Sequence, residues 1–340
     1  MENSPSMILS DFLKQGSVIS LPNGNLLLAW GKGQRDLKPS EKAPSFFVTD
    51  FFLKNRKPWV TFDAHAVLSP REFAVFLGEC APHPPNQWHN PFQTFFEEAF
   101  QELQFLFKQK GLKKAVPYVY EYAPSLPLLQ TNLLSALTQM EKGSLYLYGM
   151  WTENEGVLGL TPEHLFRKTE GRLHTVALAG TGTPLDVWNE KNKKEHQIVI
   201  DGITESLKPF GAISSEPTRQ IDLPILSHLA TPLCLHAEIS FESAVRALHP
   251  TPALGAAPTG VGSKWLKAYN QRVPRFYYGA PWGIRYNQEE CCYVAIRNMQ
   301  WSRAGTFLAA GCGVVPESNC GAEWAEIEVK LKAIKKGLGI

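Results

Sequence analysis

SLYLYGMWTENEGVLGLTPEHLFRKTEGRLHTVALAG, residues 144–180, decides the architecture. Residues 144–151 and 171–180 each read as a strand, and VLGLTPEHLFRK (157–168) lies between them with no helical period of its own. A doubly wound parallel fold would insert a helix at each such step.

The flanks carry the same message. Asn23-Gly24 sits between VISL and LLLAW, so the chain is expected to open with a hairpin of two strands. WVTFDAHAV (59–67) reads as one further strand, and CAPHPPNQWHNP (80–91), with four prolines, reads as a surface connection. Asn90 and Pro91 look like the cap and first turn of a helix, followed at helical spacing by Phe95, Phe96, Ala99, Phe100, Leu103 and Leu106 up to Gly111. Then come a strand at 115–123, a helix at 127–140, a helix at 189–207, strands at 276–285, 291–301 and 306–315, and a C-terminal helix, GAEWAEIEVKLKAIKKG. Strands outnumber helices and do not alternate with them. The expectation is an α+β chain with large, mainly antiparallel sheets.

Composition excludes several classes of function. The 340 residues hold 34 Lys plus Arg against 32 Asp plus Glu, a net charge of +2, and no basic stripe that nucleic acid or an anionic membrane surface would need. No apolar run approaches a membrane span, and MENSPSMILSDFLKQG lacks the basic start of a signal peptide. Six cysteines include Cys291-Cys292 but no C-x-x-C, so free thiols in a reducing cytosol are expected. There is no P-loop and no Gly-x-Ser-x-Gly elbow.

Chemistry-bearing residues stand out in four places. Glu323, Glu326 and Lys330 share one face of the C-terminal helix. The ordinary reading is an exposed Glu–Lys pair; the sharper one is a carboxylate pair holding a hard cation. Magnesium takes one or two protein carboxylates and fills its other sites with water and substrate oxygens. Glu195 in KKEHQIVID is a further acidic candidate, on the 189–207 helix. Glu163 follows Pro162 between two apolar strands, where loss of water would raise its pKa and suit it to proton donation. GCGVV (311–315) ends a strand with two glycines, which allow backbone amides to approach an anion closely.

In order, LKKAVPY, TPEHLF, ALAGT, KKEHQIVID, HLATPL, LHPTPALGAAP, FYYGAPWG, VAIRN, GCGVV and EWAEIEVK resemble the successive signatures of the chorismate-utilising enzymes, over roughly residues 111–336. The resemblance implies one domain over 1–340, with a divergent part over 1–105 and a motif-bearing catalytic part over 106–340. It also implies two large antiparallel sheets, helices outside and the active site between them. LHPTPALGAAP (248–258) resembles the isochorismate synthase form of its motif; the anthranilate and aminodeoxychorismate synthase form places a polar residue near Ala253.

The resemblance further implies a set of roles. Mg²⁺ is expected on Glu195 and Glu326 with Glu323 in support, binding the ring carboxylate of chorismate. Lys114, or Lys113 one register away, is expected as the base for water attacking ring carbon 2. Glu163 is expected as the acid for the departing carbon-4 hydroxyl. Arg297, Tyr278 and the amide of Gly313 are expected on the enolpyruvyl carboxylate, with Lys330 helping the ring carboxylate or the metal ligands. His228 and Ala253 are expected to line the ring, with Leu178 and Thr181 beside the leaving hydroxyl. The implied activity is isochorismate synthesis, in the cytoplasm and in service of menaquinone, siderophore or salicylate synthesis, by a monomer without an amidotransferase subunit. Alternatives are a salicylate synthase, an aminodeoxychorismate or anthranilate synthase component, or a non-catalytic chorismate-binding subunit.

Four departures from the family pattern bear on this. Thr161 stands where Ser is usual, and the segment 182–194 is short and lacks an Arg-Gly. Cys312 sits beside the expected carboxylate site, and Pro232 follows Thr231 in HLATPL.

Overall fold

A computed structural model describes residues 5–81, 87–90, 93–140, 145–222 and 226–340. Every strand pairing in it is antiparallel. An eight-stranded sheet runs in the order Ala64–Leu68, Leu26–Trp30, Gly16–Ser20, Tyr146–Trp151, Gly156–Thr161, Asn298–Ser302, Gly305–Gly311, Tyr118–Ala123. A ten-stranded sheet runs Ile213–Ser215, Ser227–Leu235, Arg172–Gly182, His164–Thr169, Glu289–Val294, Pro281–Tyr286, Ser45–Val48, Trp59–Thr61, Gln34–Asp36, with Arg219–Asp222 also on Ser227–Leu235. Strands from the first hundred residues therefore extend both sheets.

Apolar side chains alternate along these strands, and one set meets between the sheets: Ile19, Leu27, Tyr148 and Val157 from the first against Phe46, Trp282, Ile284 and Tyr293 from the second. The opposite faces carry the helices, whose apolar stripes complete a larger core reaching from Phe12 to Leu338. The α+β expectation with helices outside is the observed arrangement.

Three stretches change sheet midway, two of which were expected to be simple strands. WVTFDAHAV divides at Phe62-Asp63: Trp59–Thr61 joins the ten-stranded sheet and Ala64–Leu68 the eight-stranded one. VLGLTPEHLFRK divides at Pro162-Glu163, between Gly156–Thr161 and His164–Thr169. The expected strand 291–301 divides at Ala295–Arg297, between Glu289–Val294 and Asn298–Ser302. The last two crossings lie side by side. Val294 N–H donates to Glu163 O at 3.0 Å and Leu160 N–H to Arg297 O at 3.1 Å.

Other expectations shift in detail. A helix, Pro5–Lys14, precedes the hairpin, so the chain does not open on strands. The strand expected at 276–285 is confined to Pro281–Tyr286. The start of the Gln93–Lys110 helix at Pro91 falls outside the described residues. Three further helices were not expected, the first being Pro70–Leu77, which is capped by Ser69. Phe241–Leu248 is capped by Ser240 and buries Phe241, Ala244, Val245 and Leu248 at helical spacing. Thr259–Arg272 was hidden by Gly260 and Gly262, which disfavour a helix.

Candidate active site

The two neighbouring crossings open a cavity at the junction of the sheets, closed by the helices Glu190–Leu207 and Cys320–Leu338. Of the thirteen residues singled out in sequence, twelve line it: Lys114, Glu163, Leu178, Thr181, Glu195, His228, Ala253, Tyr278, Arg297, Gly313, Glu326 and Lys330. Glu323 stands one layer back, 2 % exposed, and reaches the others through Lys191.

Lys114 arrives on a two-residue strand paired with Ala256–Ala257, and Ala115 exchanges both backbone bonds with Val314. That double clamp fixes the register: Lys114 is 1 % exposed and points inward, while Lys113 is exposed. Lys114 Nζ lies 3.0 Å from Glu195 Oε1. Gly313 is the backing of this pair, because a Cβ there would collide with Glu195 Oε1 and lie 2.7 Å from Lys114 Cε. The glycine in GCGVV was read as room for an anion; in the fold it also makes room for an ion pair.

Glu163 is held in the crossing turn by its own N–H bonding Thr161 Oγ1 at 3.1 Å, so Thr fills the turn-holding role of the usual Ser. Burial pushes its carboxyl up to about 7, against the pull of Lys114, Lys330 and Arg297. The desolvation expected from its sequence context is therefore present. Arg297 sits at φ +53°, the left-handed region, which turns the chain back into the other sheet. Burial pulls its guanidinium down to about 10, leaving it charged at neutral pH.

Arg297 Nη2 donates to His228 Nε2 at 3.3 Å. That bond leaves His228 Nδ1 as the protonated nitrogen, facing Thr181 Oγ1 at 3.2 Å. Burial, then Arg297 and Lys330, hold His228 well below its usual value and keep it neutral. Thr181 stands opposite His228 because the strand Arg172–Gly182 bulges between Ala179 and Thr181, where Gly180 adopts φ +74°.

The acidic residues on the helices are neutralised locally. Lys330 Nζ lies 2.7 Å from Glu326 Oε1 and donates to Gly311 O at 2.9 Å. Lys191, unremarked in sequence, lies one helix turn before Glu195. Its Nζ is 3.4 Å from Glu195 Oε2 and 2.7 Å from Glu323 Oε1. Burial would lower the Lys191 pKa, but Glu195, Glu323 and Glu326 outweigh it and raise it. Burial likewise raises Glu195, and Lys114, Lys191 and Lys330 reverse the sign, holding it below the usual carboxylate range. Glu323 goes the other way: burial and the neighbouring Glu326 raise it, and its Oε2 is buried without a partner among the described residues. The i,i+4 relation of Lys191 to Glu195 was the sequence signal that could have found it.

Three carboxylates thus act on one ammonium, and one carboxylate oxygen stays unmatched. A donor set of this kind suits a hard divalent cation, and Lys191 supplies the positive charge between Glu195 and Glu323 in this structure. Among the described residues no three His, Cys, Asp or Glu side chains form a ready ligand cluster, and Lys191 lies between Glu195 and Glu323.

Comparison with known proteins identifies the family. A family model described as "Chorismate binding enzyme" matches residues 90–339. The salicylate biosynthesis isochorismate synthase of Pseudomonas aeruginosa is 29 % identical over 222 residues, 59 % of this chain and 45 % of that protein. Isochorismate synthase MenF of Bacillus subtilis is 30 % identical over 234 residues, 63 % of this chain and 47 % of the relative. The chain therefore spans about half the length of these two curated relatives. The solved structure of MenF, the menaquinone-specific isochorismate synthase of Escherichia coli, superposes with a TM-score of 0.80 at 17 % identity, covering 99 % of this chain and 91 % of that one. The match over residues 90–339 takes in every one of the thirteen site residues, and on it this chain belongs to the chorismate binding enzyme family.

Proposed function

We propose that this protein is an isochorismate synthase, converting chorismate to isochorismate by adding water at ring carbon 2 and expelling the carbon-4 hydroxyl. The observation that carries the reading is a single cavity holding a buried lysine, Lys114, and a buried glutamic acid, Glu163, poised at about 7. A base and an acid are both required, because hydroxide must be delivered to one carbon and taken as water from another.

In this reading Lys114 accepts a proton from the attacking water. It does so on parting from Glu195, whose Oε1 lies 3.0 Å away. Glu163 gives its proton to the leaving hydroxyl, so one water enters and one leaves. Arg297 is the buried cation of the cavity without a carboxylate at ion-pair distance among the described residues, and it takes the enolpyruvyl carboxylate together with Tyr278 and the Gly313 amide. His228, neutral and held by Arg297 and Thr181, presents a flat face to the ring. Ala253 offers no hydroxyl beside the enolpyruvyl group.

Glu195, Glu323 and Glu326 would hold Mg²⁺, with Lys330 keeping Glu326 in place. A divalent ion there supplies Lewis-acid and orienting chemistry for the ring carboxylate. The remaining parts of the reading are a cytoplasmic enzyme acting as a monomer, without an amidotransferase subunit, in menaquinone or siderophore synthesis.

The deciding assay incubates purified protein with chorismate and Mg²⁺, with and without ammonia, and identifies products by chromatography and mass. Isochorismate alone is expected. Salicylate with pyruvate, or an aminated product, would replace the reading with another branch of the family, and unchanged chorismate would remove it.

A further inference from the structure

Arg275 lies behind the cavity and does not line it. It is 1 % exposed, and its neighbours are neutral tyrosines with no carboxylate among them. Such an arginine needs a reason to be buried, since an unpaired interior cation is costly. Its contacts supply one. The guanidinium lies 3.6 Å from the ring centre of Phe51, 4.7 Å from Tyr118 and 5.3 Å from Tyr278. Nε donates to Tyr278 O at 3.0 Å and Nη2 to Leu254 O at 2.6 Å.

Those two carbonyls belong to two residues that line the substrate cavity, and one edge of the guanidinium joins them. Leu254, with Ala253 before it, lies within the proline-rich wall, and Tyr278 lines the cavity beside it. Phe51 closes the arrangement from the N-terminal part. Its ring stands edge-on to His249 at 4.9 Å, and its carbonyl accepts from His249 Nε2 at 2.6 Å. The wall is thus held at His249 and at Leu254 by one phenylalanine and one arginine. Gly279 follows the same logic: φ is +77° and a Cβ would lie 3.0 Å from Arg275 Nη2.

Resting on the functional reading above, we propose that Arg275 is a positioning residue that sets the gap between the Ala253–Leu254 wall and Tyr278, and with it the affinity for the enolpyruvyl end of chorismate. The planar fork matters as well as the charge, because only a guanidinium reaches both carbonyls while lying flat on Phe51. The Phe51 backing gives the divergent N-terminal part a task at the site.

Steady-state kinetics of Arg275→Lys, Arg275→Met and Phe51→Leu, normalised to folded protein by near-UV circular dichroism, test this. Arg275→Met is expected to raise the chorismate KM about tenfold, with kcat changed less than about threefold, on losing two charge-assisted bonds. Arg275→Lys should recover thermal stability but leave KM raised, and Phe51→Leu should raise KM as well. If Arg275→Met does not fold, the other two variants carry the test. Wild-type KM in the folded variants, or a fall in kcat alone, overturns the inference. Absence of turnover by the unaltered protein sinks the functional reading and this inference with it, whereas turnover with unchanged KM sinks this inference alone.

Discussion

Glu163 shows how a single position couples fold to chemistry. Its carboxyl titrates near 7 in the fold against an ordinary value of 4.5, raised first by burial. Between those values the folded protein keeps a proton that the unfolded chain has lost, so folding stability falls as pH rises from about 4.5 to about 7. The loss attributable to this group is on the order of 3 kcal/mol. Glu163→Gln should therefore flatten that slope in thermal melts at pH 5 and pH 8, and a slope identical to wild type would contradict it. The same substitution should lower kcat by roughly 10²–10⁴-fold, and the wild-type rate should decline on the alkaline side of about pH 7 as the acid is lost. Gly313 gives a second residue-scale prediction. Gly313→Ala pushes a methyl group into Lys114 and Glu195, so activity should drop at least about tenfold while secondary structure by circular dichroism is kept. A fully active variant would mean that the pair has another place to go. The type of each of these residues was legible in sequence. What was illegible is the pairing, because Lys114 and Glu195 are remote in the chain and meet only through the strand clamp at Ala115.

The crossings explain which elements were legible and which were not. Caps announce helices locally, and Asn189 and Asn319 both bond the third amide onward as such residues should. A strand that changes sheet keeps its apolar run on both sides of the switch, so WVTFDAHAV and CCYVAIRNMQW read as one element each. Pro162 marks its crossing openly; Phe62-Asp63 carries no turn residue of the usual glycine or proline kind, and Arg297 hides a left-handed conformation in a residue type that rarely adopts it. At this scale the helix Glu190–Leu207 makes its own prediction. Lys191 and Glu195 lie one turn apart, and the lysine fills the space between Glu195 and Glu323. Lys191→Met should tighten Mg²⁺ binding to the unliganded protein about tenfold, roughly 1.4 kcal/mol, in a calorimetric titration. Equal or weaker binding would show that the lysine does not compete for those carboxylates.

At the scale of the whole molecule, residues with no recognisable motif turn out to complete both sheets. Gly16–Ser20 pairs with Tyr146–Trp151, and Ser45–Val48 pairs with Pro281–Tyr286. Pairing over such separations leaves no local trace, which is why the part before residue 105 showed local elements in sequence but not their place in the two sheets. A chain beginning at residue 90 keeps every predicted site residue yet loses those partners, and it should be insoluble or melt without a cooperative transition. A sharp calorimetric melt from that fragment would refute the dependence. The interleaving also governs the order of events during synthesis. Asn298–Ser302 lies inside one sheet, and Pro281–Val294 supplies the middle of the other. A nascent chain can therefore finish neither sheet until residues 281–311 have been translated. Until then the early strands emerge from the ribosome with open edges, and their quality control falls to chaperones rather than to the fold itself.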